Sequence, residues 1–180
     1  MAIPFSLKPF ESISDIVISG RVVRAQSSLT VEYTLTGAVE ELVVPSAADE
    51  APSRRDQLWQ DTCFEVFIGL QDSPDYWEVN VAPNGDWNVY HFNDYRQAMT
   101  PELACTDIAS TWQAITKGYH LTLELPTDSW LALDQSLAIG ISTILKIDSE
   151  TGSISHWALA HPGEKPDFHR RDSFSLLVEG

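Results

Sequence analysis

The sequence predicts an all-β chain: one antiparallel β-sandwich, with jelly-roll or immunoglobulin-like layers and little helix. Three observations predict it. Apolar residues recur at alternate positions in many short runs, turn-forming Gly, Pro, Asn and Asp punctuate those runs, and the three-to-four spacing of an amphipathic helix is nearly absent. A chain of 180 residues is long enough for one well-buried core and short for two, so residues 1–180 are expected to form a single domain.

The elements follow in order. Residues Asp15–Ala25 and Leu29–Thr36 are strands joined by Gln26-Ser27-Ser28 as a hairpin. Val39–Val44 could continue that sheet. The segment Pro45–Asp56 is polar, small and proline-bearing, and is expected to be a loop that delivers the chain to Leu58-Trp59. Thr62–Leu70, Tyr76–Ala82 and Asp86–Phe92 then form a β-meander, the last two joined at Asn84-Gly85, a strong hairpin signal. Met99–Ala104 contains a proline and is a connection. Asp107–Thr116 and Tyr119–Leu125 flank Lys117-Gly118 as a further hairpin closed by Pro126. Thr127–Leu133 is the best candidate for a short helical turn, capped by Thr127 or Asp128. Leu137–Ile147 is continuously apolar, as in a central strand. Asp148–Ser153 is a turn, Ile154–Ala160 a short strand, His161–Asp172 a long polar loop and Phe174–Val178 the last strand.

The Asn-Gly turn proposes a register. A two-residue loop sets Pro83 opposite Asp86 and Ala82 opposite Trp87, so Glu78, Asn80, Trp87, Val89 and His91 share one face. Trp77, Val79, Val81, Asn88, Tyr90 and Phe92 share the other, which is the more apolar and therefore the core side. A carboxylate, an amide, an indole and an imidazole on one face are either a ligand platform or an ordinary solvated surface. On Thr62–Leu70, Glu65 points away from Phe64, Val66 and Ile68, alongside Cys63 and Phe67. A carboxylate so placed is partly desolvated and needs a hydrogen-bonding ligand, an Arg or a cation.

Charge restricts the partners. A formal net charge of −15 repels a phosphate backbone and an anionic membrane surface, so neither nucleic acid nor membrane is expected. No window approaches the roughly 20 apolar residues of a spanning helix. MAIPFSLKPFESISD shows no basic segment followed by an apolar one, so the expected location is the cytoplasm. Cys63 and Cys105 form no CxxC pair and are expected to be buried thiols.

The chemistry-bearing patterns are few. Glu65 and Glu78, on neighbouring strands, have the look of the paired carboxylates of glycoside hydrolysis, but acidic pairs are common in a chain with 26 acids. GxSxG, Walker, HExxH and dinucleotide-binding glycine patterns are all absent, and a non-enzyme is expected. His156, His161 and His169, with Asp167, match no standard metal spacing, and no metal site is expected. Met99 and His91 are candidate axial ligands for a haem. Six Trp and five Tyr are generous for this length, and Trp59, Trp87, Trp112 and Trp157 fall at strand ends or in loops. Indoles that pack on the C–H faces of a sugar, with carboxylates and amides at its edge, form a carbohydrate site; the same indoles can equally be core.

Leu58-Trp59, Asp61, Phe64-Glu65-Val66-Phe67-Ile68, Tyr76, Glu78-Val79-Asn80, Pro83, Gly85, Trp87 and Tyr90 together resemble the DOMON-like superfamily, specifically the group similar to carbohydrate-binding module family 9. Trp157, Lys165-Pro166-Asp167-Phe168-His169 and Phe174 resemble the way those domains end. The resemblance covers most of the chain from Arg54 on. It implies a β-sandwich that clamps a sugar end between two Trp, with a Glu and further polar groups on the hydroxyls. Trp59, Glu65 and Trp157 match that arrangement, and Arg54, Arg55 and Arg96 are all candidates for the sugar-binding Arg. The expected function is thus non-catalytic recognition of a small sugar or glycan end, with Trp59, Glu65, Glu78, Asn80, Trp87, His91, Arg96 and Trp157 as site residues. Two alternatives accompany it: a haem or redox-cofactor domain, which some DOMON domains imply, and a protein-interaction domain without a small ligand. No resident cofactor is expected unless it is that haem or a structural cation.

Overall fold

The alternating runs fold as strands that sort into two antiparallel sheets packed face to face, a β-sandwich. The computed structural model describes residues 1–11, 15–45, 51–131, 135–147 and 151–179. In chain order the strands are β1 (Ala2–Ser6), β2 (Lys8–Pro9), β3 (Val17–Arg24), β4 (Ser28–Thr36), β5 (Cys63–Leu70), β6 (Tyr76–Val81) and β7 (Trp87–Phe92). They continue as β8 (Thr100–Pro101), β9 (Ala109–Ile115), β10 (Gly118–Pro126), β11 (Leu137–Ile147), β12 (Ser153–Ala158) and β13 (Leu176–Val178). The smaller sheet runs β1-β3-β4-β10-β9, and the larger β2-β12-β11-β5-β6-β7-β8. Strand β13 shares with β12 the edge of β11 that faces away from β5. Among the described residues the only helical segments are two 3₁₀ turns, Leu58–Gln60 and Arg171–Ser173.

The core lies between the sheets. Alternation turns Ile18, Val31, Tyr33, Leu121 and Leu123 of the smaller sheet toward Phe64, Val66, Ile68, Val79 and Ile139 of the larger, all essentially sealed from solvent. Tyr33 stacks edge-on against Phe64 at 5.0 Å, and its hydroxyl donates to the Glu65 carbonyl at 3.0 Å. Burying each such side chain stabilises the fold by about 1.5–3 kcal/mol. Both cysteines are free and buried, as expected from their spacing.

Four local expectations differ from the structure. Val39–Val44 is not a strand; only an isolated bridge from Leu42 to Ile147 touches the sheet. Thr127–Leu133 makes a single turn, with the Leu131 N–H bonded to the Thr127 carbonyl at 2.8 Å, and residues 132–134 lie outside the described residues. The N-terminal strands β1 and β2 carry Pro4 and Pro9, which give no strand signal yet are tolerated because both strands lie at sheet edges, where a missing N–H breaks no ladder. The remainder of the 45–56 and 148–153 turns is described only outside residues 46–50 and 148–150.

The fourth difference decides where the site lies. The β6–β7 hairpin closes on Ala82 and Asp86 around a three-residue loop, with the Ala82 N–H bonded to the Asp86 carbonyl at 2.8 Å and the Gly85 N–H to the Ala82 carbonyl at 2.9 Å. Gly85 takes the third loop position at φ +91°, a left-handed conformation that glycine alone reaches without strain. The extra residue shifts the register by one, so Val81, not Ala82, faces Trp87, and every β7 side chain changes sides. Trp87, Val89 and His91 turn inward with Trp77, Val79 and Val81. Asn88, Tyr90 and Phe92 turn outward with Tyr76, Glu78 and Asn80.

Candidate functional site

The outward face of the larger sheet carries a buried polar row. The register sets Ser142, Glu65, Asn80 and Asn88 side by side on β11, β5, β6 and β7, and the next row holds Gly140, Phe67, Glu78 and Tyr90. All four members of the first row are sealed, Glu65 at 3% exposure and Asn80 at 0%. What seals part of this face is the C-terminal loop. Phe168 and Phe174 pack with Phe67, Tyr76, Phe92, Ile144 and Ala158 in a second apolar cluster, separate from the inter-sheet core. Gly69 makes this docking possible: a Cβ there would fall 1.3 Å from Nη1 of Arg171, whose guanidinium lies across the strand and donates to the Leu70 carbonyl at 2.5 Å.

Where the loop does not reach, a cleft of about 390 Å³ opens. It is lined by Trp59, Glu65, Glu78, Phe92, Arg96, Met99, Ile144, His156, Pro166, Phe168 and His169. Trp59 stands half-buried on one wall, its ring 5.9 Å from that of Tyr90. The hydroxyl of Tyr90 donates to Asp56 at 2.8 Å, and Asn88 Nδ2 bonds Asp56, the Arg55 carbonyl and Tyr90, so the segment that carries Trp59 is anchored to β7. His156 presents its ring from β12 and is oriented by Glu11, 3.1 Å from its Nδ1.

The floor holds two carboxylates. Ser142 Oγ donates to Glu65 Oε2 at 2.9 Å, and Asn80 Nδ2 donates to Glu78 Oε1 at 2.8 Å. Burial, reinforced by the charge of Glu78, pushes the Glu65 carboxyl up to about 8. Burial likewise pushes Glu78 up to about 7. His169 stands over them with Nε2 3.7 Å from Glu78 Oε2, too long for a hydrogen bond. Burial and the positive charge of Arg96 hold His169 down at about 4, so it is neutral at physiological pH. Tyr76 Oη lies 2.8 Å from His169 Nδ1 and accepts the Arg96 backbone N–H at 3.1 Å. With that hydroxyl proton directed to Nδ1, the ring proton is assigned to Nε2, facing Glu78.

A strap closes one side of the mouth. Arg96 Nη2 donates to Asp167 Oδ1 at 2.9 Å and Tyr95 Oη to Asp167 Oδ2 at 2.5 Å, which ties the loop after β7 to the C-terminal loop. Arg96 and Ala98 adopt left-handed backbone, φ +53° and +54°, and Gln57, just before the Trp59 turn, does the same at +63°. Among the described residues these are the only non-glycine residues in that region of conformational space. All three sit in segments that supply cleft walls, Gln57 beside Trp59 and Ala98 between Arg96 and Met99.

The structure brings together Trp59, Glu65, Glu78 and Arg96, with Asn80 beneath them as the partner of Glu78. It places Trp157, Trp87 and His91 elsewhere. Trp157 is 2% exposed and faces the inter-sheet core, because it pairs with Thr143 on the inward side of β12. Trp87 is also in that core, with the Arg54 guanidinium 4.4 Å over its ring. Arg54 donates to Asn88 Oδ1 at 2.6 Å and to the Glu102 carbonyl at 3.0 Å, so it staples the meander and not the cleft. His91 lies on the inward side of β7, its ring 4.8 Å from that of Trp77. Met99 lines the cleft on the outward side, so the pair does not fit a haem held between them. His156, Phe168 and His169 are the wall and roof residues that sequence reasoning did not assign to a sugar. Among the described residues no group of three His, Cys, Asp or Glu is arranged to hold a metal ion.

No protein-family profile matches the chain, and no curated protein matches it by sequence. Solved structures do match in fold. A Bacteroides uniformis protein regarded as carbohydrate-binding superposes with a TM-score of 0.66 at 13% identity, over 95% of this chain and 84% of that one. A carbohydrate-binding module family 9 from Caldicellulosiruptor kristjanssonii in complex with cellotriose gives 0.54 at 10% identity, over 88% and 72%. The same kind of module in complex with glucose gives 0.54 at 10%, over 94% and 78%. At these identities the likeness is one of architecture: the chain is a β-sandwich with the fold of the family 9 carbohydrate-binding modules.

Proposed function

We propose that this protein is a non-catalytic carbohydrate-binding domain that takes a small sugar or a glycan end in the cleft over Glu65 and Glu78. The observation that carries the reading is the pairing, in one cleft, of an aromatic wall with buried carboxylates at the floor. The fold it shares with modules solved around cellotriose and glucose supports it. Trp59 offers an apolar face to the C–H surface of a pyranose, with Phe168 and Met99 on the other walls. Glu65 and Glu78 accept hydroxyl protons, and Arg96 reaches the rim. Most of the polar floor is already held by Ser142, Asn80 and Tyr76, so little ordering remains for the ligand to impose.

The test is calorimetric titration of mono- and disaccharides, followed in parallel by tryptophan fluorescence, on wild type and Trp59→Ala. Saturable binding by wild type that weakens roughly tenfold or more in the variant is expected, as for loss of one stacked aromatic at a small site. Absence of binding at millimolar sugar, or a variant that binds like wild type, overturns the assignment.

A further inference from the structure

Resting on the sugar-binding reading above, we infer that the preferred ligand is an amino sugar, its free ammonium held between the Glu65 and Glu78 carboxylates. The two residues are diagonal neighbours on the same face of β5 and β6, since Glu65 pairs with Asn80 and Phe67 with Glu78. Each keeps one oxygen without a hydrogen bond from any described residue. Glu65 Oε2 takes the Ser142 hydroxyl and Oε1 takes nothing; Glu78 Oε1 takes Asn80, and Oε2 meets only His169 at 3.7 Å. Glu65 is only 3% exposed, yet it lines the cleft, so its unmet oxygen is directed to whatever enters.

Arg96 at the rim acts on both carboxyls through its charge, but among the described residues no Arg or Lys side chain bonds to either of them. Arg96 is bonded to Asp167, Arg54 to Asn88 and backbone carbonyls, Lys146 to Asp61, and Arg171 to the Leu70 carbonyl. His169 offers one N–H toward Glu78 and stays neutral. A sugar that carries only hydroxyls can hydrogen-bond the two open oxygens but brings no charge that would let the buried carboxyls give up their protons. An ammonium brings three donors and the missing charge in one group small enough to sit between the carboxylates. The net charge of −15 attracts such a ligand from a distance. Because burial keeps both carboxyls protonated further up the pH scale than usual, capture of an ammonium is accompanied by proton release.

The experiment is titration at pH 7, with chelator present, of D-glucosamine, D-glucose and N-acetyl-D-glucosamine, which share a ring and differ in the charge at one position. Glucosamine is expected to bind roughly tenfold or more tighter than the other two, the difference between a charge-assisted and a neutral set of hydrogen bonds. Repeating it in two buffers of different ionisation heat should show protons released with glucosamine and none with glucose. In Glu65→Gln, and independently in Glu78→Gln, the ratio of glucosamine to glucose affinity should shrink to about twofold or less, whatever each variant loses in affinity for glucose. Thermal melts establish that each variant is folded; if one is not, the other decides. Glucose binding as well as glucosamine, or a folded variant that keeps the preference, overturns the ammonium site and leaves sugar binding standing. No binding by any of the three overturns both.

Discussion

The two faces of the larger sheet are built from the same strands and follow opposite rules. The inward face holds Phe64, Val66, Ile68, Trp77, Val79 and Trp157 against the smaller sheet. The outward face of those strands is just as buried around Glu65, Asn80 and Ser142, yet it hides carboxylates, amides and hydroxyls. Desolvating a carboxylate costs several kcal/mol, and well-packed apolar residues at such positions are often neutral or stabilising. The inward face is thus what stability alone would select. The outward face departs from it at Glu65 and Glu78, the two groups at the floor of the cleft, and the backbone strain at Gln57, Arg96 and Ala98 lies around the same cleft.

The sharpest way to break this contrast is to remove one Trp from each face. Trp157→Ala opens a large void between the sheets and is expected to cost roughly 3–5 kcal/mol of stability in chemical denaturation. Trp59→Ala, half-buried at the cleft wall, is expected to cost about 1 kcal/mol or less. Equal losses would show that the cleft wall is core.

Titration reads the same contrast next. The carboxyls of Glu65 and Glu78 rise from an ordinary 4.5 to about 8 and about 7, so between those values the folded protein binds protons that the unfolded chain has lost. Stability therefore falls as pH rises through this window and is lowest above about 8. His169, lowered from 6.5 to about 4, acts in the opposite sense, adding stability as pH rises, but only below 6.5. From pH 6.5 to 8.5 the carboxyls stand alone among these three. Wild type should lose roughly 2 kcal/mol across that range, and Glu65→Gln should flatten most of the slope while Ser142 keeps an acceptor. A flat wild-type profile would mean that the carboxyls are solvated and that the outward face is an ordinary surface.

What the sequence made legible follows from period. Strands β3, β4, β6, β7, β9 and β10 are readable because alternation and turn residues agree along them, β5 and β11 because their runs are almost continuously apolar, and the outward direction of Glu65 follows from Phe64, Val66 and Ile68 on the other side. The face of β7 was not readable, because a single added loop residue at Gly85 reverses it, and Pro83-Asn84-Gly85 is compatible with either loop length. That reversal turns Trp87 and His91 inward, away from the cleft. The side taken by Trp157 is hidden for a related reason: Ser155 and Trp157 point inward and His156 and Ala158 outward, a pattern in which neither set is clearly apolar. Phe168 and His169 lie in an irregular loop with no period, and only tertiary docking over Gly69 and Phe67 brings them to the cleft.

The smallest effect tests the strain itself. Ala98 sits at φ +54°, where its Cβ crowds the following carbonyl at a cost of roughly 1 kcal/mol that glycine does not incur. Ala98→Gly relieves this but gains unfolded-chain entropy worth about 0.4–1 kcal/mol, so the net change in stability should be a gain of roughly 0.5 kcal/mol or less. The informative measurement is therefore affinity. The Arg96–Asp167 and Tyr95–Asp167 bonds already hold this loop to the C-terminal loop from two side chains, and Ala98 makes no part of that strap. If the strap sets the shape of the mouth, Ala98→Gly leaves sugar affinity within about twofold, while Asp167→Asn, which weakens the charge-assisted bonds from Arg96 and Tyr95, lowers it several-fold at nearly unchanged stability. The reverse ranking, with the glycine variant losing more affinity than Asp167→Asn, would transfer the positioning of Arg96 and Met99 from the strap to the strained backbone.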